Sequence, residues 1–416
     1  MNRREFIKAA TIAGCYLPFS GISSLSFANT TDLNKPQTNP LLVVLFLRGG
    51  ADGLHLVAPS TDPDYVASRP PEMRVLDTGD NAGILLNNTN SFRMHPAAVG
   101  LAELYRANHL AIVHAVGITD GTRSHFVAQD LIERGVENEN MLSIDTGWLT
   151  RALAQNDGQL PAYSATNATV FAMRGFANTL SSPDISGGLG IPFGNQTADF
   201  LQAVSAYGKS KAHQASLAAL DIMEKVDAHV PKDDKNKPIT YMPSGNADYS
   251  GTGDLTKSLA SVARLAKMNM GLRVACVDYG GWDTHEGQAG RFNNQVKQLS
   301  QGLSAFHQDM AASGQAVITV VMTEFGRRLR ANKSNGTDHG HGACWLVMGD
   351  GVRGGNLYGE WPGLSTEKLD QGVDLAVTTD YRTLLYEVLS AAGLSTQGVF
   401  PEWKPGKTAL GLFTKA

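Results

Sequence analysis

Apolar positions along this chain follow two alternating rhythms. Leu41 to Leu47 is a continuous apolar run, the pattern of a strand buried on both faces. Leu110–Val116, Leu272–Val277, the β-branched run Ala316–Met322 and the short Ala343–Met348 read as further strands. Between them the apolar residues recur at helical spacing. Pro96 to Asn108 predicts a helix with Leu101 and Leu104 on one face, and Ser124 to Glu133 a second, stopped by Gly135. Leu255, Leu259, Val262 and Leu265 mark a third, with Asp254 as its cap and Gly271 beyond it. Phe292, Val296, Leu299, Leu303 and Phe306 form a fourth stripe closing near Gly314, and Tyr381 to Ala392 a last helix before Gly393. Strands alternating with helices predict a mostly parallel sheet covered on both faces. Residues 62–94 and 232–252, rich in Pro, Gly, Asn and Asp, read as surface insertions. No repeat or linker divides the chain, so residues 39–416 are expected to form one domain.

The first residues obey neither rhythm. Arg3-Arg4-Glu5-Phe6-Ile7-Lys8 precedes a mildly apolar stretch broken by Gly14, Pro18 and Gly21, and Ser26-Phe27-Ala28 offers small residues for cleavage. Residues 1–28 read as a twin-arginine signal and 29–38 as a linker, which predicts export to the periplasm or beyond by the twin-arginine machinery. Lipidation at Cys15 is the rival reading; only six apolar residues separate it from Lys8. The stretch is too short and broken to span a bilayer, and no later window is apolar enough.

Composition narrows the field by exclusion. Of 416 residues, 42% are hydrophobic and 18% charged, enough to build a large core. The net charge of −4, without basic runs, argues against nucleic acid or an anionic membrane as partner. Cys276 and Cys344 sit in strand-like runs, so a disulfide framework is not expected, and no cysteine cluster or dinucleotide fingerprint supports a redox cofactor.

Open α/β sheets bind ligands beyond the carboxyl ends of their strands, and there the unusual residues gather. Arg48-Gly49-Gly50-Ala51-Asp52-Gly53 pairs flexible glycines with Asp52, a hard oxygen donor. Arg123-Ser124-His125 puts a hydroxyl at a helix start, which suits a plain N-cap, a nucleophile or an anion site. In Trp282-Asp283-Thr284-His285-Glu286, Asp283 and His285 are able to face one ion, or Asp283 and Glu286 to cap the next helix. Glu324, at the tip of an apolar strand, needs a cation or the nearby Arg327 and Arg328. Asp338-His339-Gly340-His341 packs three potential ligands into four residues, and imidazole suits zinc, iron or manganese. His341 precedes its strand, so it reaches the same rim only if that strand is antiparallel or the loop arches over.

Together Leu47 to Gly53, Arg123-Ser124-His125-Phe126, Asp145-Thr146-Gly147-Trp148, Gly281 to His285, Thr323-Glu324-Phe325-Gly326-Arg327 and Thr337 to Gly342 resemble the family of unknown function numbered 1501, across nearly the whole mature chain. That family resembles a distant branch of the alkaline phosphatase and sulfatase superfamily. The resemblance implies a three-layer α/β/α sandwich, alkaline-phosphatase-like, with a mostly parallel central sheet and usually two divalent ions. It implies Asp52 on one ion, Asp283 and His285 on the other, Ser124 as nucleophile, and Glu324 and His341 as further ligands. Two departures stand out: Phe325 follows Glu324 where superfamily phosphatases have histidine, and Ser124 leads into His125-Phe126-Val127 rather than a sulfatase maturation signature.

The expected function is therefore an exported metal-dependent hydrolase or transferase of a phosphate or sulfate ester. Zinc, manganese, calcium or magnesium would be held by Asp52, Asp283, His285, Glu324, Asp338, His339 and His341. Ser124 would attack, His125 would move a proton, and Arg123 or Arg327 would clamp the oxygens of an anionic small molecule or glycan ester. The alternative is a non-catalytic exported module that binds an anionic glycan or partner protein through a degenerate metal site.

Overall fold

The computed structural model describes residues 39–414 apart from 90, 157, 187, 190–194, 209, 251–252 and 407–408; the residues read as signal and linker, with Cys15, lie outside the described residues. Twelve strands are seen among them: β1 Leu41–Leu47, β2 Val57–Pro59, β3 Ile84–Leu85, β4 Phe92–Met94, β5 Leu110–Gly117, β6 Ala162–Ser164, β7 Thr179–Ser181, β8 Val274–Tyr279, β9 Val317–Met322, β10 Ala343–Gly349, β11 Leu357–Tyr358 and β12 Thr379–Asp380. The α-helices are α1 Gly53–Leu56, α2 Pro63–Ser68, α3 Val99–Arg106, α4 His125–Arg134, α5 Trp148–Ala152, α6 Asn195–Tyr207, α7 Lys211–His229, α8 Gly253–Lys267, α9 Gln288–Ala312 and α10 Tyr381–Ala391.

The main sheet runs β11-β5-β10-β9-β1-β8-β6-β7, with β12 also on β5. β10 is antiparallel to both neighbours, and the other pairings are parallel. Strand alternation builds the two cores. In β1, Leu41, Val43, Leu45 and Leu47 face a core shared with Leu101 of α3, Leu259 of α8 and Phe292 and Leu299 of α9. Leu42, Val44 and Phe46 face the opposite core, with Leu131 of α4, Trp148 of α5 and Leu385 of α10. This is the expected three-layer α/β/α sandwich on a mostly parallel sheet. Cys276 and Cys344 are buried free thiols, and among the described residues no helix is long and apolar enough to cross a membrane.

The differences from the sequence reading are local. β8 runs from Val274 to Tyr279, two residues later than its apolar run. Asp254 lies in the first turn of α8 rather than at its cap. The 62–94 segment holds α2 and contributes β3 and β4 to a small antiparallel sheet with β2. β6 and β7, three residues each, are too short to show a period, and α6 and α7 fill a stretch read without regular elements.

β1 lies between β9 and β8, and Leu45 is fully buried there. Leu45→Ala should therefore cost about 2–5 kcal/mol through lost transfer energy and a residual cavity. The expected readout is a lower urea midpoint with an unchanged slope; an unmoved midpoint would contradict this packing.

Candidate functional site

The loops after β1, β5, β8 and β9 end at the carboxyl rim of the parallel strands. Because β10 is antiparallel, the loop that precedes it arrives at the same rim, which answers the condition set by His341. Glycines let these loops touch. Gly49 has φ +119°, and a Cβ there would stand 2.5 Å from the Asp283 amide nitrogen. A Cβ on Gly336 would stand 2.2 Å from the His285 carbonyl carbon.

Asp283 is the centre of the arrangement. Its Oδ1 lies 3.0 Å from His285 Nε2, 3.4 Å from His125 Nε2 and 3.4 Å from His339 Nε2. His285 Nε2 and His339 Nε2 are 2.8 Å apart. The ligand-type atoms of His125, Asp283 and His339 all lie within 4.8 Å of one another, a group able to hold a metal ion. The capping alternative for Asp283 and Glu286 does not apply, since Gly287 is the N-cap of α9 and no side chain caps it.

Each imidazole is oriented from behind. His125 Nδ1 is 2.8 Å from Glu324 Oε1, His339 Nδ1 is 2.7 Å from the Arg123 carbonyl oxygen, and His285 Nδ1 is 3.3 Å from Asp338 Oδ1. Carbonyls and carboxylates only accept, so each Nδ1 donates, while each Nε2 faces Asp283 Oδ1, where it carries a proton toward that carboxylate or offers its lone pair to a cation. Two such lone pairs at 2.8 Å repel unless a proton or a cation stands between them. His125 Nε2 is buried and has no hydrogen-bond partner. Imidazoles backed by carboxylates or a carbonyl are the usual dress of a metal site.

The carboxylates of the rim are held toward their charged forms. Burial pulls the Asp283 carboxyl up, but the hydrogen bond and charge of Arg327 outweigh it and hold the group at about 2. Burial likewise opposes ionisation of Glu324, yet His125 and Gln129 hold it below its ordinary value. A hydrogen bond from Asn332 lowers Asp338. The Glu324 hydrogen bond raises His125, whereas burial lowers His339.

The remaining residues expected at the site are placed as follows. Ser124 is exposed and caps α4, its Oγ accepting the Val127 N–H at 3.5 Å. Arg327 is buried, donating to Gly50 O at 2.7 Å, Thr337 O at 2.7 Å, Gly49 O at 2.5 Å and Asp283 Oδ1 at 2.6 Å. These bonds tie loops together, where the sequence reading had the guanidinium clamp substrate. Arg123 is bound by Nε and Nη2 to Asp374. Asp52 is not in the group: it accepts from Arg69 at 2.7 and 3.1 Å and from Gln288 at 2.6 Å, inside the protein. His341 is also apart, with one nitrogen on Ile118 O at 2.8 Å and the other on Asp370 at 3.1 Å.

Sequence reasoning missed Arg69, Gln288, Asp370, Asp374 and Gln129. Of these only Gln129 carried a signal, standing one helical turn after His125 on α4; its amide donates to Glu324 at 2.8 Å.

Comparison with known proteins adds the following. The model of a family described as Protein of unknown function (DUF1501) matches residues 199–394. No curated protein matches the chain. Among solved structures, the phosphonate monoester hydrolase of Silicibacter pomeroyi is similar at 10% identity and TM-score 0.40, over 91% of this chain and 78% of that one. The C-terminal periplasmic domain of EcEptC from Escherichia coli, in complex with zinc, is similar at 10% identity and TM-score 0.38, over 89% of each chain. The alkaline phosphatase of the Antarctic bacterium TAB5 is similar at 8% identity and TM-score 0.33, over 76% of this chain and 93% of that one. These are distant likenesses, and the functional reading takes its weight from the residues of the rim.

Asp283 also sets an acid dependence. Its folded value of about 2 lies below the ordinary 3.8, so its contribution to stability is complete above the ordinary value and is lost as pH falls toward 2. Asp283→Asn should flatten this part of the acid limb in urea denaturation measured from pH 5 to 2. An identical limb in the variant would show that Asp283 is not held by Arg327.

Proposed function

We propose that this chain, which over residues 199–394 belongs to the family of unknown function named above, is an exported metal-dependent hydrolase or transferase acting on a phosphate or sulfate ester. The observation that carries the reading is the meeting of the Nε2 atoms of His125, His285 and His339 around one carboxylate oxygen of Asp283, of which His125, Asp283 and His339 form a group able to hold an ion. Three imidazoles and a carboxylate favour zinc or manganese over calcium or magnesium, which prefer oxygen shells. A bound divalent ion would supply neutralisation of an anionic ester and a lower pKa for the attacking hydroxyl or water.

The chain's own residues do the rest. Glu324, Asp338 and the Arg123 carbonyl hold the imidazoles in one tautomer. Arg327 keeps Asp283 ionised and in place. Ser124, exposed at the head of α4 and next to His125 in the chain, is the nucleophile in this reading. Its ester would lie against the N-terminal amides of α4, where the helix dipole favours negative charge. With Arg123 and Arg327 committed to protein partners, those amides take over the role first expected of an arginine clamp. Export would follow from the twin-arginine leader at residues 1–28.

One observation favours the non-catalytic alternative: Asp52, which the resemblance gives to an ion, is already neutralised by Arg69. Activity separates the two. Protein purified without chelator should contain zinc or manganese by elemental analysis and should release product from p-nitrophenyl phosphate or p-nitrophenyl sulfate. Ser124→Ala should lower kcat on the order of 10³-fold or more, as expected for a lost nucleophile, without loss of metal. A metal-free preparation, or full activity in Ser124→Ala, would end the proposal. Bound metal with no turnover of either ester would favour the binding module.

A further inference from the structure

We infer that the centre takes a single ion, and that the Arg69 guanidinium occupies the electrostatic role of the second cation that the superfamily resemblance implies. The inference rests on the reading that the four-residue cluster holds an ion, and it concerns what the neighbouring carboxylates do.

Asp52 is the residue that the resemblance gives to a separate ion, and its bonding leaves no donor to offer. Arg69 meets both carboxylate oxygens, with Nη1 2.7 Å from Oδ2 and Nη2 3.1 Å from Oδ1, and neither side chain is exposed. Gln288 donates to Oδ2 at 2.6 Å, and the His55 amide donates to Oδ1 at 3.2 Å. Arg69 is itself fixed, donating to Leu329 O at 2.8 Å and Arg328 O at 3.0 Å. A forked pair of this kind is the strong form of an ion pair. Breaking it inside the protein would strand one buried charge, which is strongly unfavourable. His341 is closed as well, because Ile118 and Asp370 engage its two ring nitrogens.

Charge around the open cluster points the same way. Asp283, Glu324 and Asp338 stand around the cluster, and Arg327 pairs with the first. The histidines are neutral when their Nε2 atoms serve as donors. Around Asp52 no charge is left over, since Arg69 cancels it. A second dication would enter a region already neutral and would have to displace a buried guanidinium.

Native mass spectrometry of the full-length mature protein, titrated with zinc, tests this. One tightly bound ion per chain is expected, and Asp52→Asn paired with Arg69→Gln should bind that ion with affinity within about threefold of wild type. Two ions of comparable affinity in the wild-type protein would overturn the inference, as would loss of an ion in the double variant. The wild-type titration decides the question even if the double variant fails to fold. A wild-type protein that binds no zinc would overturn it too, together with the reading of the cluster as a metal site. His285→Ala serves as the internal control, expected to weaken the single ion at least tenfold.

Discussion

Arg327 sits in full burial with its N–H groups on Gly49 and Gly50 of the loop after β1, on Thr337 of the loop before β10, and on Asp283 of the loop after β8. Three loops far apart in sequence are thus fixed to one another through one rigid planar group. Arg suits this role because its fork is always charged and presents donors in fixed directions. The carbonyls it satisfies would otherwise be buried acceptors without partners. It also carries the positive charge that keeps Asp283 ionised at the centre of the histidine cluster. The cluster's geometry therefore depends on a residue that offers no donor atom to it.

The second requirement is topological. In an all-parallel sheet the segment before a strand lies at the opposite end from the segment after its neighbours. β10 runs against β9 and β5, so Asp338 and His339 arrive where Asp283, His285, Glu324 and His125 leave. Gly326 and Gly340 then let two of these loops pass at backbone contact, Gly340 N–H bonding Gly326 O at 2.8 Å. The one strand that breaks the parallel rule is what completes the site.

Much of this was legible in the sequence, and the limits have physical causes. The buried strands showed as continuous apolar runs because both faces are covered, so β1 was placed to the residue and β10 to within one. Asp283, His285 and His339 stood out as ligand-type residues in strand-end loops, and the structure brings them together. Asp52 and His341 carried the same signal, and they too are used, but by Arg69, Ile118 and Asp370. A ligand-type residue announces that a buried partner exists without saying which. Arg69 lies in the irregular 62–94 segment, where no period reveals that a side chain turns inward. His125 was expected to shuttle a proton, and only coordinates place its Nε2 beside Asp283 with its other nitrogen on Glu324.

Glu324 and Asp52 meet the cost of burial in different ways. Phe325 follows Glu324 in the chain, and its ring centroid lies 4.8 Å from that of His125 and 4.9 Å from that of His339. An apolar ring at that point raises the cost of leaving a nearby carboxylate unpaired. Glu324 answers that cost with the Gly49 amide, Gln129 and the His125 ring. Asp52, deeper in the protein, answers it with Arg69. Glu324 and Asp52 are thus both satisfied inside the protein, while His125, His285 and His339 gather around Asp283. Asp283 and His285 are about half exposed, so the cluster faces solvent beside the head of α4.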